Sequence, residues 1–164
     1  MHTRLILAID RRHILEQASS TLAIALKHRA DGVVGLDLCG DPTARPGGEV
    51  DIFTPVFEEA RKEGLGITVH FAEAEASGSK KELETLLSWQ PGRLGHVIWE
   101  DEETKKEIAR RGLCLELCLS CNVSAGMVRG GFEGHHFGHW IGIEGPMISL
   151  GVSPPSSGPA ANIY

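Results

Sequence analysis

The sequence lacks several features that would place it in a large class of proteins. No apolar run approaches the roughly 20 residues needed to cross a bilayer. The N-terminal apolar run is short and has no cleavage-like tail, so we expect no signal peptide. The 16 Lys and Arg residues are outnumbered by 22 Asp and Glu, which gives a net charge of −6. Without a basic run, such a chain is not expected to bind nucleic acid or an anionic membrane.

Cysteine is scarce and unevenly distributed. Three of the four cysteines lie between Cys114 and Cys121, too close together for a disulfide framework. With no export signal, we expect reduced thiols in a cytoplasmic protein. Cys114 and Cys118 are interpreted as small residues that fill the core.

Common catalytic motifs are missing as well. The sequence contains neither GxGxxG nor GxxxxGK[ST], and the pairs Gly47-Gly48 and Gly130-Gly131 match no phosphate-binding loop. No serine lies in a G-x-S-x-G elbow, which argues against a serine hydrolase.

One loose metal pattern is present. Cys118-x2-Cys121-x13-His135-x3-His139 has the spacing of a zinc finger. However, Cys118 falls inside an apolar run and the spacer lacks a clear finger core. We therefore interpret His135, His136 and His139 as residues of a partly exposed loop or helix start.

Alternating apolar runs and amphipathic stretches dominate the rest of the sequence. At 164 residues and 41% apolar content, the chain can bury one sizeable core. Short runs rich in Val, Ile and Leu predict buried strands. These runs are Leu5–Ile9, Val33–Leu38, Ile67–Phe71, Leu94–Trp99 and Leu113–Leu119, with a weaker sixth at Met147–Leu150. Helical periodicity lies between them, over residues 14–26, 53–60, 80–89 and 101–111.

This alternation predicts an α/β fold with a parallel sheet. Periodicity alone is compatible with an open doubly wound sheet or a closed (β/α)8 barrel. After Leu150 the composition changes to Ser, Pro and Gly. We expect one folded domain over residues 1–150 and a disordered tail over residues 151–164.

Polar residues follow the predicted strands at their downstream ends. In parallel α/β folds these ends converge on the active site. In the order of the five main strands, these ends carry Asp10, then Asp37 and Gly40-Asp41, then His70 and Glu73, then His96, and then Ser120-Cys-Asn122.

Their chemistry favours hydrolysis at a metal. A neutral imidazole such as that of His70 is a good zinc ligand, and zinc lowers the pKa of bound water to about 7. Glu73, three residues later, could donate a proton if burial raises its pKa. His96 on the next strand could hold the hydroxide. Such a set suits attack on an amidine or ester carbon.

Four segments in order resemble the adenosine/AMP deaminase superfamily. They are Val34-Gly-Leu-Asp-Leu-Cys-Gly-Asp-Pro-Thr43, His70-Phe-Ala-Glu73, Arg93-Leu-Gly-His96 and Leu115-Glu-Leu-Cys-Leu-Ser-Cys-Asn122. Singly, H-x-x-E or R-x-G-H is a weak signal, but four motifs in order are a strong one. The similarity is greatest to the adenosine deaminase-like subfamily and extends from about residue 3 to about residue 148.

The resemblance implies a zinc-dependent (β/α)8 barrel and an aminohydrolase activity. Its substrate would be a purine nucleoside or nucleoside monophosphate with a 6-amino or N6-methylamino group. The subfamily implies conversion of N6-methyl-AMP to IMP and methylamine. By motif position, His70 would be a zinc ligand, Glu73 the proton donor to the purine ring, and His96 the residue that orients the hydroxide. Gly40 would let the purine approach the backbone, and Asp10 is a looser match to a substrate contact.

The sequence also departs from the superfamily pattern. Members carry a His-x-His pair on the first barrel strand and an acidic run on the eighth, whereas this chain has no such pair and no Asp after Asp101. His70 is the one matched zinc ligand, so three are missing.

We therefore expect a partial barrel, resembling strands 3 to 7 with their helices and truncated at both ends. Its activity would be impaired. The alternatives are a non-enzymatic fragment that acts as an interaction partner, with self-association through exposed sheet edges, and a different metal-dependent barrel hydrolase.

Overall fold

The structure is a computed structural model that describes residues 3–151. Strands and helices alternate along this part of the chain. The strands are β1 (Leu5–Asp10), β2 (Val33–Cys39), β3 (Gly66–Phe71), β4 (Arg93–His96), β5 (Cys114–Leu117) and β6 (Met147–Leu150). The α-helices are α1 (Leu15–Lys27), α2 (Thr54–Lys62), α3 (Lys80–Ser88), α4 (Glu102–Arg111), α5 (Leu119–Ser124) and α6 (Phe137–Trp140), with 3-10 helices at Pro46–Phe53 and Glu75–Ser77.

All six strands form one parallel sheet in sequence order. Each strand pairs with the next, from β1 to β6, without a reversal of order. A doubly wound sheet reverses its strand order at a switch point, whereas a barrel wall does not. The topology therefore favours the barrel over the open doubly wound sheet, and the weak sixth run forms a true strand.

Helices pack on the sheet through apolar faces that the sequence pattern anticipates. In α2, Val56, Phe57 and Ala60 are buried, and Phe57 stacks on Trp89 with 4.3 Å between ring centroids. The indole N–H of Trp89 donates to Thr54 Oγ1 at 3.0 Å, which satisfies its buried polar atom. This contact ties the end of α3 to the start of α2.

Helix α4 agrees with the predicted helical stretch over residues 101–111, and local interactions account for both of its ends. The Asp101 carboxylate accepts the backbone N–H of Thr104 at 2.7 Å, as an N-cap does. At the other end Gly112 adopts a left-handed conformation with φ of 61°, which a glycine allows at little cost. Acidic residues in the first turn and basic residues in the last complement the helix dipole.

Three expectations about residue placement are wrong. Strand β4 ends at His96 and not at Trp99, because the backbone turns to positive φ at His96 and Val97. Strand β5 ends at Leu117, so Cys118 precedes α5 and does not lie within a strand. Cys114 and Cys118 are only partly buried, so neither is a core filler.

The expected tail begins at residue 151, and all of it beyond Gly151 lies outside the described residues. Within residues 3–151, no helix combines the length and apolar character needed to span a membrane.

Candidate active site

The carboxyl ends of the parallel strands bring His70 and His96 together. Their ring centroids are 5.2 Å apart, although the strand register places His96 opposite Phe71. The left-handed backbone at His96, with φ of 66°, turns its side chain out of the strand alternation. Such a conformation costs a non-glycine residue about 1–3 kcal/mol, and residues strained in this way cluster at functional sites.

Glu73 lies beside His96 and is almost entirely buried. Its Oε1 is 3.6 Å from His96 Nε2, and the two side chains are 5% and 2% exposed. Glu73 Oε2 is buried without a hydrogen-bond partner among the residues that the structure describes. An unpaired buried carboxyl oxygen is costly for stability, so this geometry suits a group that meets a ligand.

Asp37, in the carboxyl-terminal half of β2, contacts the His70 ring. His70 Nδ1 lies 3.3 Å from Asp37 Oδ1 and 3.1 Å from Oδ2. Burial lowers the pKa of His70, but the hydrogen bond and charge of Asp37 outweigh it, so the pKa is raised overall. A carboxylate on one ring nitrogen is a common way to orient a metal-binding histidine.

The other side of His96 contacts a buried polar cluster. Asn122, in α5, lies 2.8 Å from His96 Nδ1 and 3.2 Å from His135 Nε2. His136 Nε2–H donates to the backbone carbonyl of His96 at 2.6 Å. The prediction that these histidines adjoin a helix start is confirmed, since His136 is the N-cap of α6. However, His135 is buried, not partly exposed.

Asp10 and Gly40 lie side by side at the carboxyl ends of β1 and β2. The Asp10 carboxylate is held by Arg12, with Arg12 Nη2 2.6 Å from Asp10 Oδ2. Arg12 thereby lowers the pKa of Asp10 to about 2. Gly40 has φ of 94°, and a Cβ there would come within 2.7 Å of Asp10 Oδ1. A glycine is therefore needed at this close approach.

A buried ion pair that the sequence did not reveal supports the end of β3. Arg11 Nη1 lies 2.6 Å from Glu82 Oε1, and both side chains are fully buried. Arg11 Nη2 also donates to the backbone carbonyl of His70 at 3.2 Å. Because 71 residues separate Arg11 from Glu82, no local pattern signals their contact.

The described residues do not provide a complete metal site. Within residues 3–151, no group of three or more His, Cys, Asp or Glu side chains is placed to hold one ion. Asp37 contacts His70 at Nδ1, and Asn122 contacts His96 at Nδ1. The zinc-finger pattern is not assembled either, since His135 contacts Asn122 and the backbone N–H of Phe137.

The sequence is similar to one family of known proteins. The family profile described as "Adenosine deaminase" matches residues 1–135. The N6-mAMP deaminase of Arabidopsis thaliana is 32% identical over 148 residues, which cover 90% of this chain and 40% of that protein. The N6-Methyl-AMP deaminase of Homo sapiens is 34% identical over 154 residues, which cover 88% of this chain and 42% of that protein.

The fold agrees with the sequence similarity. The solved structure of Arabidopsis ADAL complexed with IMP matches with a TM-score of 0.81 at 33% identity, covering 90% of this chain and 41% of that one. The chain therefore spans about two fifths of the length of the curated relatives it matches. Its six parallel strands with their helices form part of a (β/α)8 barrel.

Proposed function

The chain belongs to the adenosine deaminase family, and from this premise we propose that it carries part of the active site of a purine nucleotide deaminase. The substrate class would be a nucleoside or nucleoside monophosphate with a 6-amino or N6-methylamino group. The relatives named N6-methyl-AMP deaminase and the neighbour with bound IMP support this choice. The reaction would consume N6-methyl-AMP and water and release IMP and methylamine.

A single observation carries the proposal: a buried carboxyl oxygen without a partner lies beside a buried histidine at the carboxyl ends of β3 and β4. Glu73 Oε2 is this oxygen, and Glu73 Oε1 is 3.6 Å from His96 Nε2. Parallel-barrel enzymes carry their catalytic groups at this edge. Most buried side-chain polar atoms have a hydrogen-bond partner, so an unpaired Oε2 beside His96 at this edge suits a group that meets a ligand.

Glu73 and His96 would have different roles in this reaction. Glu73 would donate a proton to the purine ring, which makes the 6-position more electrophilic. His96 would hold the oxygen that attacks this carbon. Gly40 would let the purine lie against the backbone, and Asp10 would contact the substrate.

Zinc enters the proposal only through His70. The family resemblance implies a zinc ion whose chemistry is to activate water, and His70 would be one of its ligands. The described residues do not complete its ligand set. One histidine binds zinc weakly at neutral pH, so we expect impaired turnover by this chain alone.

A hybrid barrel tests the proposal. Residues 5–150 would replace the matched segment of the Arabidopsis relative, and methylamine release from N6-methyl-AMP would be measured. We expect an active hybrid whose activity falls by about 10²–10⁴-fold with Glu73→Gln, as for loss of a general acid. The same substitution in the isolated chain should change nothing measurable. A folded, zinc-loaded hybrid without activity, or one indifferent to Glu73→Gln, would refute the proposal.

The second candidate function is a non-enzymatic interaction partner, with a second copy of this chain as its partner. Exposed apolar residues on the two edge strands favour it, namely Leu5 on β1 and Met147 and Leu150 on β6. Edge strands with unpaired backbone groups readily add further strands.

A further inference from the structure

The direction of the hydrogen bonds around His96 depends on how the Asn122 amide is turned. The structure places the amide oxygen 2.8 Å from His96 Nδ1 and the amide nitrogen 3.2 Å from His135 Nε2. The two ends of an amide have nearly the same shape, so their assignment must come from the hydrogen-bond network. Asn122 is fully buried, so water cannot satisfy a wrong orientation.

A backbone amide gives this network a fixed starting point. The N–H of Phe137 donates to His135 Nδ1 at 3.0 Å, and the position of that hydrogen is set by the backbone. A neutral imidazole has one N–H and one acceptor nitrogen. Since Nδ1 accepts, the proton of His135 must be on Nε2. Burial lowers the pKa of His135, which favours this neutral form.

The Asn122 amide must therefore present its oxygen to His135. With the amide nitrogen toward His135, two N–H groups would face each other across 3.2 Å. Turning the amide over removes this conflict, because Oδ1 then accepts from His135 Nε2–H. The amide N–H then donates to His96 Nδ1, across the 2.8 Å that separate the two side chains. His96 is left with its proton on Nε2, the atom that faces Glu73.

We propose that Asn122, turned by His135, is a positioning residue that fixes His96 as the neutral Nε2–H tautomer. His96 then offers a hydrogen-bond donor, not a basic nitrogen, toward Glu73 and the reacting oxygen. A donor stabilises negative charge on an attacking oxygen but cannot remove its proton. The relevance to catalysis rests on the proposed function, whereas the tautomer itself does not.

The segment that contains His135 and His136 also holds the backbone of His96. His136 Nε2–H donates to the His96 carbonyl at 2.6 Å, and the rings of His135 and His136 stack with 4.2 Å between centroids. Burial, the largest cause, lowers the pKa of His136 to about 4, so this ring stays neutral at pH 7. The segment thus fixes both the left-handed backbone and the ring of His96.

Nitrogen NMR of the ¹⁵N-labelled 164-residue chain tests the tautomer directly. Long-range ¹H–¹⁵N correlations at neutral pH distinguish a protonated ring nitrogen from an unprotonated one. His96→Gln identifies the His96 signals. We expect an unprotonated Nδ1 and a protonated Nε2 in the unmodified chain. A proton on Nδ1 of His96, alone or with one on Nε2, would overturn the proposal.

Two variants and a control test the role of Asn122. In Asn122→Asp both oxygens accept, so we expect the His96 proton to move to Nδ1 or both nitrogens to be protonated. His135→Ala removes the group that turns the amide and should give a mixture of His96 tautomers. His139→Gln, an exposed position in the same segment, should leave the His96 signals unchanged. An unaltered tautomer in folded Asn122→Asp would also overturn the proposal.

Activity separates this proposal from the proposed function. In the hybrid barrel, Asn122→Asp should lower kcat and leave KM little changed, because the substrate-contacting groups remain. An inactive hybrid with the expected His96 tautomer would refute the function and leave the positioning role. An active hybrid whose His96 carries its proton on Nδ1 would support the proposed function and refute the positioning role of Asn122.

Discussion

At the residue scale, the close approach of Gly40 to Asp10 predicts a specific loss of stability. In Gly40→Ala the new Cβ would meet the Asp10 carboxylate within 2.7 Å, at a φ of 94°. We expect the free energy of unfolding to fall by about 1–3 kcal/mol, as measured by urea denaturation. Gly47→Ala is a matched control, because Gly47 also has positive φ but has open space around it. Equal losses in the two variants would show that contact with Asp10 is unimportant.

A buried carboxyl at Glu100 predicts how stability depends on pH. Burial raises the pKa of Glu100 from 4.5 to about 7, so the folded state holds a proton that the unfolded state releases between these values. Stability from this group is therefore present below about pH 4.5 and is lost as the pH rises to about 7.

Glu100→Gln removes this dependence. We expect the variant to be more stable than the parent at pH 8 by about 1–3 kcal/mol and to differ little at pH 4. Urea denaturation at both pH values measures the difference. An equal difference at the two pH values would mean that ionisation of Glu100 is not its cause.

At the scale of elements, the Arg11–Glu82 pair joins the end of β1 to α3 and predicts strong coupling between them. Removing one partner leaves a buried group without compensation, so Arg11→Met or Glu82→Leu should each cost about 3–5 kcal/mol. The double variant should lose clearly less stability than the sum of the losses in the two single variants. Burial raises the pKa of Glu82, and Arg11 opposes this rise. Loss of Arg11 would therefore leave the buried Glu82 carboxylate without its compensating charge.

An exposed ion pair between α3 and α4 serves as the control for this double-mutant cycle. Lys80 Nζ lies 2.7 Å from Glu103 Oε2, but both side chains are largely exposed. Water and salt screen such a pair, so Glu103→Gln should leave the unfolding midpoint unchanged. Additive losses in the Arg11 and Glu82 cycle would contradict coupling through the buried pair.

The elements themselves were largely predictable from the sequence, and their ends only in part. The N-cap Asp101 and the C-terminal Gly112 act locally, so they locate α4 correctly. The end of β4 was missed because apolar residues continue to Trp99 while the backbone leaves the strand at His96. The carbonyl of His96 at that turn is hydrogen-bonded to His136, forty residues away, and hydrophobic periodicity does not encode such a contact.

The candidate site was also predictable from the sequence only in part. His70, Glu73 and His96 follow strand ends and match motifs, so the sequence could group them before their distances were known. Whether they act in catalysis stays a prediction. Asn122 also followed a strand, but its contacts with His96 and His135 depend on how α5 and the start of α6 fold back over β4.

At the scale of the whole molecule, the open sheet predicts self-association. Strands β1 and β6 each pair on one side only among residues 3–151. Their unpaired N–H and C=O groups can pair with another chain, and exposed Leu5 and Leu150 add apolar area at these edges. We therefore expect the average mass of the 164-residue chain, measured by light scattering, to rise with concentration.

A charged residue at an edge should suppress this association, since lysine on edge strands disfavours pairing between sheets. We expect Leu5→Lys to shift the mass toward that of the monomer. Ile24→Lys on α1 is the matched control, because Ile24 and Leu5 are both 53% exposed but Ile24 lies on a helix. If both substitutions dissociate the chain equally, general hydrophobicity and not the sheet edge holds the copies together. A monomer at every concentration would remove the support for an interaction role and leave the deaminase proposal as the one to pursue.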